Sequence, residues 1–186
     1  MPNMGSNLFF GKDVMEVGCG RALPAMAAAH LGARSVAATD CDHRALDELV
    51  RMRERGAYLH RGVPVEPRFF LWDEDANALL PEDERESKVR HWSNCKEGLA
   101  PNLPSDQTFD LLLMSDCLYF SQQEVPLLSV IRRRLRAGGR AVAMVMVRRD
   151  KNILGRFIEG LEAAGLLVTS SDCSSLDVDA VIARIS

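Results

Sequence analysis

A chain of 186 residues, 47% hydrophobic and 26% charged, has the size and composition of one globular domain with a substantial core. Its net charge of -3 gives no electrostatic reason for strong nonspecific nucleic-acid binding. We expect neither a bilayer-spanning segment nor a secretory signal, because no apolar run is long enough for the first and the N-terminus lacks the second.

The first strand is predicted over 13–17, ending in the turn Gly18-Cys19-Gly20. An alanine-rich helix follows over 23–31, stopped by Gly32, and small residues let it lie close to a sheet. Residues 35–39 form the second strand. The amphipathic stretch 42–55 is a helix with Ala45, Leu46, Leu49 and Val50 inward and Gly56 as its stop. The third strand is predicted over 68–71, leading into Trp72-Asp73. Polar, proline-punctuated residues 81–108 read mostly as an inserted loop. Phe109 to Met114 is the fourth strand and 125–135 a helix. Gly138-Gly139 is expected to turn the chain into a fifth strand over 141–147. A helix over 152–164 and an antiparallel pair, 166–169 with 181–185, complete the chain. Alternating strands and helices imply a single α/β domain with a mainly parallel sheet. Only about a dozen residues precede the first strand, so an N-terminal cap is expected to be short or missing.

The five cysteines, Cys19, Cys41, Cys95, Cys117 and Cys173, are scattered, odd in number and form no CxxC pair. Reduced thiols in an intracellular protein follow, cytoplasmic and also nuclear in expectation. His30, His43, His60 and His91 lack metal-ligand spacing, so no metal is expected.

The strand–turn–helix around Gly18 and Gly20 exposes backbone N–H groups to a nucleotide-like ligand, although glycines also mark purely structural turns. Asp40 stands at the spacing of a ribose-binding acid; it is also placed to cap the next helix, a role Asp42 can fill. Glu16, two residues before Gly18, opposes a pyrophosphate and suits a ligand with a cationic amino-acid portion. S-adenosylmethionine (SAM), with ribose, adenine, sulfonium and ammonium but no phosphate, is such a ligand.

Trp72 is placed to cover an adenine face and Asp73 to accept from its exocyclic amine, unless the indole is simply core. Ser115-Asp116-Cys117-Leu118-Tyr119 leaves the fourth strand where ligands bind in open parallel sheets. Asp116 and Tyr119 are the candidate amine-orienting residues, with a helix cap as the other account of Asp116. Arg132, Arg133, Arg134 and Arg136 read as the solvated face of a helix. Arg148 and Arg149, with Lys151, are placed to attract an acidic substrate or are ordinary surface charge.

Residues 16–24 (EVGCGRALP) resemble the first motif of seven-β-strand, class I methyltransferases, and Leu23-Pro24 is similar to the form in family-16 protein-lysine methyltransferases. Asp116-x-x-Tyr119 resembles the same family. Phe70-Leu71-Trp72-Asp73, the run from Phe109 to Phe120, and Arg148-Arg149 with Asn152-Ile153-Leu154 are similar to its members that act on calmodulin. The resemblance implies a Rossmann-like, mostly parallel seven-stranded sheet with an antiparallel C-terminal strand and helices on both faces. It implies SAM as cofactor, held by Glu16, Gly18, Gly20, Asp40, Trp72, Asp73 and Ser115. It further implies Asp116 and Tyr119 as catalytic residues, Arg148 and Arg149 as substrate-binding residues, and a monomer acting on a protein lysine, with calmodulin suspected.

Overall fold

A computed structural model describes residues 8–56, 63–81, 98–145, 151–173 and 178–184. Strand β1 (Asp13–Val17) serves two faces by simple alternation, with Val14 packed on one side and Met15 and Val17 on the other. Helix α1 (Leu23–His30) carries Pro24 in its first turn and buries Ala25, Ala28 and Ala29. Methyl-sized contacts bring its backbone close to the sheet. Strand β2 (Ser35–Asp40) leads to α2 (His43–Glu54), whose N-cap Asp42 accepts from the Arg44 N–H at 2.9 Å. Leu46, Leu49 and Val50 are its buried stripe.

Strand β3 spans Val65–Phe69, three residues earlier than the pattern predicted, and the residues after it open a helix, α3 (Trp72–Ala78). Strand β4 (Phe109–Ser115) is followed by a 3-10 turn (Ser121–Gln123) and α4 (Glu124–Arg134). Strand β5 (Leu135–Val145) starts before Gly138-Gly139, so these glycines make no turn. They bulge where β4 and β5 lose register, between Phe109 and Leu111. Helix α5 (Lys151–Ala163), β6 (Leu167–Cys173) and β7 (Val178–Arg184) follow.

The strands pair in the order β3-β2-β1-β4-β5-β7-β6. β3, β2, β1, β4 and β5 are parallel; β7 runs antiparallel to both β5 and β6. One core, with α1 and α2, gathers Val14, Val36, Leu46, Leu111 and Leu113. The other, with α4 and α5, gathers Met15, Leu112, Leu127, Ile131 and Phe157. Helices therefore cover both faces, and the carboxyl ends of the parallel strands share one edge.

Of the expected inserted loop, residues 82–97 lie outside the described residues, whereas the Leu99 N–H donates to Asp47 Oδ1 of α2 at 2.7 Å and 101–103 dock along the outer edge of β3. The Phe69 N–H donates to Pro101 O at 2.9 Å and the Leu103 N–H to Phe69 O at 2.8 Å. Ala100 and Leu103 are buried.

The arginine group is not a solvated helix face. Arg132 is exposed, but Arg134 is buried beside Asp75, Arg133 also reaches Asp75, and Arg136 belongs to β5. Arg136 and Arg34 pair with Asp13 and Asp110 at the amino ends of β1 and β4, the edge opposite the glycine turn.

Candidate functional site

The carboxyl edge is organised around the turn after β1. Gly18 and Gly20 both have left-handed backbone, with φ of 64° and 48°. The Cys19 N–H donates to Thr39 O at 2.8 Å, tying the turn to β2. One carboxylate of Asp40 then spans two elements: Oδ2 accepts from the Gly20 N–H and Oδ1 from the Asp42 N–H, each at 2.9 Å. Asp42 caps α2, so Asp40 is held by the turn and keeps acceptor lone pairs for a ligand hydroxyl.

Glu16 is almost wholly buried, and its Oε2 accepts from the Ala25 N–H at 2.9 Å. It points at the first turn of α1, where unpaired backbone N–H groups favour a carboxyl. Burial nevertheless pushes its pKa up to about 8, with the neighbouring Asp40 charge adding to the shift and the Ala25 hydrogen bond opposing it. Its hydrogen bond thus ties β1 to the first turn of α1.

Gly18 is the point where three segments meet. A methyl group there would lie 3.0 Å from the Cys117 Sγ and 3.2 Å from Cζ2 of Trp72. Trp72, half-buried at the start of α3, also packs on the α4–α5 core, as the core account of it expects. Asp73 shares that first turn of α3. By contrast a methyl on Gly20 would meet nothing within 4 Å, which leaves this stretch of backbone open to a ligand.

The segment after β4 completes the edge. Ser115 is exposed; Asp116 has φ of 52° and its N–H donates to Met144 O at 2.8 Å. The buried Cys117 thiol donates to Val17 O at 2.9 Å, and burial pushes its pKa up to about 12. It is a structural donor, not a nucleophile. Tyr119 is half-buried, its phenol held above the ordinary value by burial first, and its ring meets Phe120 edge-on at 5.6 Å between centroids.

The structure therefore brings together Gly18, Gly20, Asp40, Trp72, Asp73, Ser115, Asp116 and Tyr119, with Glu16 buried below them. Arg148 and Arg149 lie outside the described residues. Sequence reasoning passed over Cys117 as a contact residue and Gln123, whose amide oxygen bonds the backbone at Tyr119 and Phe120. A glutamine four residues after a tyrosine carries no signal of that kind. A cavity of about 10 Å³, lined by Met114, Cys117, Leu118, Leu127 and Phe157 among others, is a packing gap no larger than one water. Among the described residues no cluster of metal-ligating side chains occurs, and no helix is long and apolar enough to cross a membrane.

The edge thus presents groups of the kind a nucleoside would use: an open glycine backbone, a fixed carboxylate at the end of the neighbouring strand, and an indole beside the turn. Comparison with known proteins agrees in kind. Residues 6–52 match the family described as ribosomal protein L11 methyltransferase, and residues 75–164 match the lysine methyltransferase family. The chain is 30% identical over 143 residues to the protein N-terminal and lysine N-methyltransferase efm7 of Aspergillus fumigatus, covering 76% of this chain and 48% of that one. The Candida glabrata protein of the same name is 26% identical over 147 residues, with 77% and 47% covered. The chain thus spans about half the length of the curated relatives it matches. Among solved structures, ribosomal protein L11 methylase from Lactobacillus delbrueckii superposes with a TM-score of 0.60 at 17% identity, covering 98% of this chain and 76% of that one. Fibrillarin from Aeropyrum pernix, solved with natively bound S-adenosyl-L-methionine, gives 0.59 at 15% identity, covering 95% and 67%.

Proposed function

We propose, on the premise that this chain carries the class I methyltransferase fold and the lysine methyltransferase family pattern over residues 75–164, that it is a SAM-dependent N-methyltransferase acting on a protein amine. The observation that carries this reading is the convergence on Gly18 of Trp72 and Cys117, which unites the segments after β1, β3 and β4 at one edge.

Gly18 and Gly20 would face the cofactor, Asp40 would take its ribose hydroxyls, and Trp72 and Asp73 would bound its adenine. When bound, SAM supplies a methyl group already activated by the sulfonium charge. Asp116 and Tyr119 then orient the acceptor amine and keep water from it. That amine has to arrive neutral. A lysine ε-amine, with an ordinary pKa near ~10.4, must lose a proton on entry, whereas a protein N-terminal amine near ~7.8 is already neutral in roughly one molecule in seven at pH 7. The relatives' name covers both kinds of acceptor. Lysine is our first choice because residues 75–164, which include Asp116 and Tyr119, match a lysine methyltransferase family. Calmodulin is one candidate acceptor, supported by the resemblance of residues 109–120. A monomer in the cytoplasm or nucleus, with Arg148 and Arg149 meeting the protein substrate, completes the proposal.

The test uses deuterated-methyl SAM with three acceptors: unmodified calmodulin, a peptide whose one amine is lysine, and a peptide whose one amine is its N-terminus. A labelled methyl on an amine, lost in Asp116→Ala while calorimetry still detects SAM binding, is the expected result. Absence of SAM binding by the wild-type chain would overturn the reading.

A further inference from the structure

Asp116 and Tyr119 sit on a stretch with no regular secondary structure, between the end of β4 and the 3-10 turn at Ser121–Gln123. Orienting an amine demands a backbone fixed to a fraction of an ångström, so something other than a strand or helix must hold this stretch. Three pins do so. The Asp116 N–H donates to Met144 O on β5 at 2.8 Å. The Cys117 thiol donates to Val17 O on β1 at 2.9 Å. The third pin is a side chain: Gln123 Oε1 accepts from both the Tyr119 N–H and the Phe120 N–H, each at 3.0 Å.

We propose that Gln123 is a positioning residue for the reaction, its amide oxygen fixing the backbone from which Tyr119 projects into the acceptor channel. This rests on the methyl-transfer reading above. The first two pins hold the segment at Asp116 and Cys117; beyond Cys117 the backbone N–H groups of Tyr119 and Phe120 turn to Gln123. One oxygen bonding two successive N–H groups sets the direction of both peptide planes, and hence of the Cα–Cβ bond of Tyr119.

The arrangement also separates position from stability. Phe120 is exposed and Tyr119 half-buried, so water can replace the lost acceptor when Gln123 is truncated. Breaking these bonds should barely affect folding, yet it releases Tyr119. A role in folding alone would give the opposite balance.

The experiment compares wild type, Gln123→Ala and Gln123→Glu, the last retaining an acceptor oxygen at the same reach. Three quantities are read: hydrogen exchange at the Tyr119 and Phe120 amides, SAM affinity by calorimetry, and single-turnover methyl transfer to whichever of the three acceptors is modified. In Gln123→Ala we expect the two amides to exchange at least about tenfold faster, with SAM affinity and Tm nearly unchanged and the transfer rate about tenfold lower. Gln123→Glu restores both amide protection and most of the rate. Unchanged exchange in Gln123→Ala, or a parallel loss of SAM affinity and Tm, would overturn the assignment, as would a Gln123→Glu protein no better than Gln123→Ala. A wild-type chain that binds no SAM instead defeats the methyl-transfer reading and this assignment with it, while amide exchange still reports whether Gln123 holds the turn.

Discussion

Asp75 on α3 and Arg134 on α4 form a two-pronged ion pair sealed from solvent, with Oδ2 2.7 Å from Nε and Oδ1 2.8 Å from Nη2. Arg133 donates to Oδ1 as well. Arg134 also donates from Nη1 to Pro104 O at 2.7 Å and lies over the Phe70 ring, 5.0 Å from its centre. One guanidinium thus gathers α3, α4, the end of β3 and the residues approaching β4. Because α3 begins at Trp72, the pair also sets where the indole meets Gly18.

Asp75→Ala strands a buried guanidinium, and we expect a loss of about 3–5 kcal/mol in urea denaturation. Replacing both partners with leucine should recover part of that loss, since the stranded guanidinium is then removed along with the carboxylate. Equal destabilisation by the single and double variants would show that the pair is not the source of the effect.

Gly18 and Gly20 have similar backbone conformations but different surroundings, which makes them a matched pair. Gly20→Ala should cost about 1 kcal/mol, the strain of left-handed backbone alone. Gly18→Ala adds contact with Cys117 and Trp72, and should lower Tm further and weaken SAM binding at least about tenfold. Calorimetric titration of both variants checks the order, and indistinguishable affinities would refute it.

Glu16 should make stability fall as pH rises. Its carboxyl has an ordinary value of 4.5 and a folded value of about 8, so between these limits the folded chain holds the extra proton. The contribution is complete below 4.5, declines by at most about 1.4 kcal/mol per pH unit, and is gone above about 8. Glu16→Gln should flatten this slope while keeping an oxygen for the Ala25 N–H. Denaturant melts at pH 5, 7 and 9 test it; a slope unchanged in Glu16→Gln would locate the proton elsewhere.

Asp13 has the opposite sign. The Arg34 guanidinium above all, with Arg136 and Ser35, holds its carboxyl well below the usual carboxylate value of 3.8, against the raising effect of burial. Its stabilising contribution is present above 3.8 and is lost as pH falls through its folded value. Asp13→Asn should therefore lower Tm at pH 7, with the deficit shrinking toward pH 2. SAM affinity should not change, because the cluster lies at the edge opposite the glycine turn.

Much of this architecture was legible where apolar runs are bounded by glycine or a cap. β1 has its predicted bounds, β4 is one residue longer, and Asp42 caps α2. β3 was misplaced because Pro67 argues against a strand, although an edge strand tolerates it. Helix α3 was missed because WDEDANA shows no apolar stripe; its one fully buried side chain is a carboxylate whose partners lie 58 and 59 residues away. Arg134 was misread for the same reason, since a run of arginines on a helix ordinarily faces water. At the carboxyl edge, local spacing was enough to place Gly18 and Gly20 in a tight turn and Asp40 at the end of β2. The convergence of Trp72 and Cys117 on Gly18 depends on sheet order, which no local pattern carries.

The docking of residues 101–103 along β3 has a consequence for what this sheet can join. In a parallel strand alternate residues turn their N–H and C=O groups to opposite neighbours, and Phe69 turns both outward, to Leu103 and Pro101. Val65 and Pro67 share that outward side; Pro67 has no N–H to offer, and both groups of Phe69 are taken. A foreign strand arriving at this margin would find only Val65 able to exchange both bonds, too short a foothold for a ladder. Among the described residues, this margin of the sheet is therefore a poor template for strand addition.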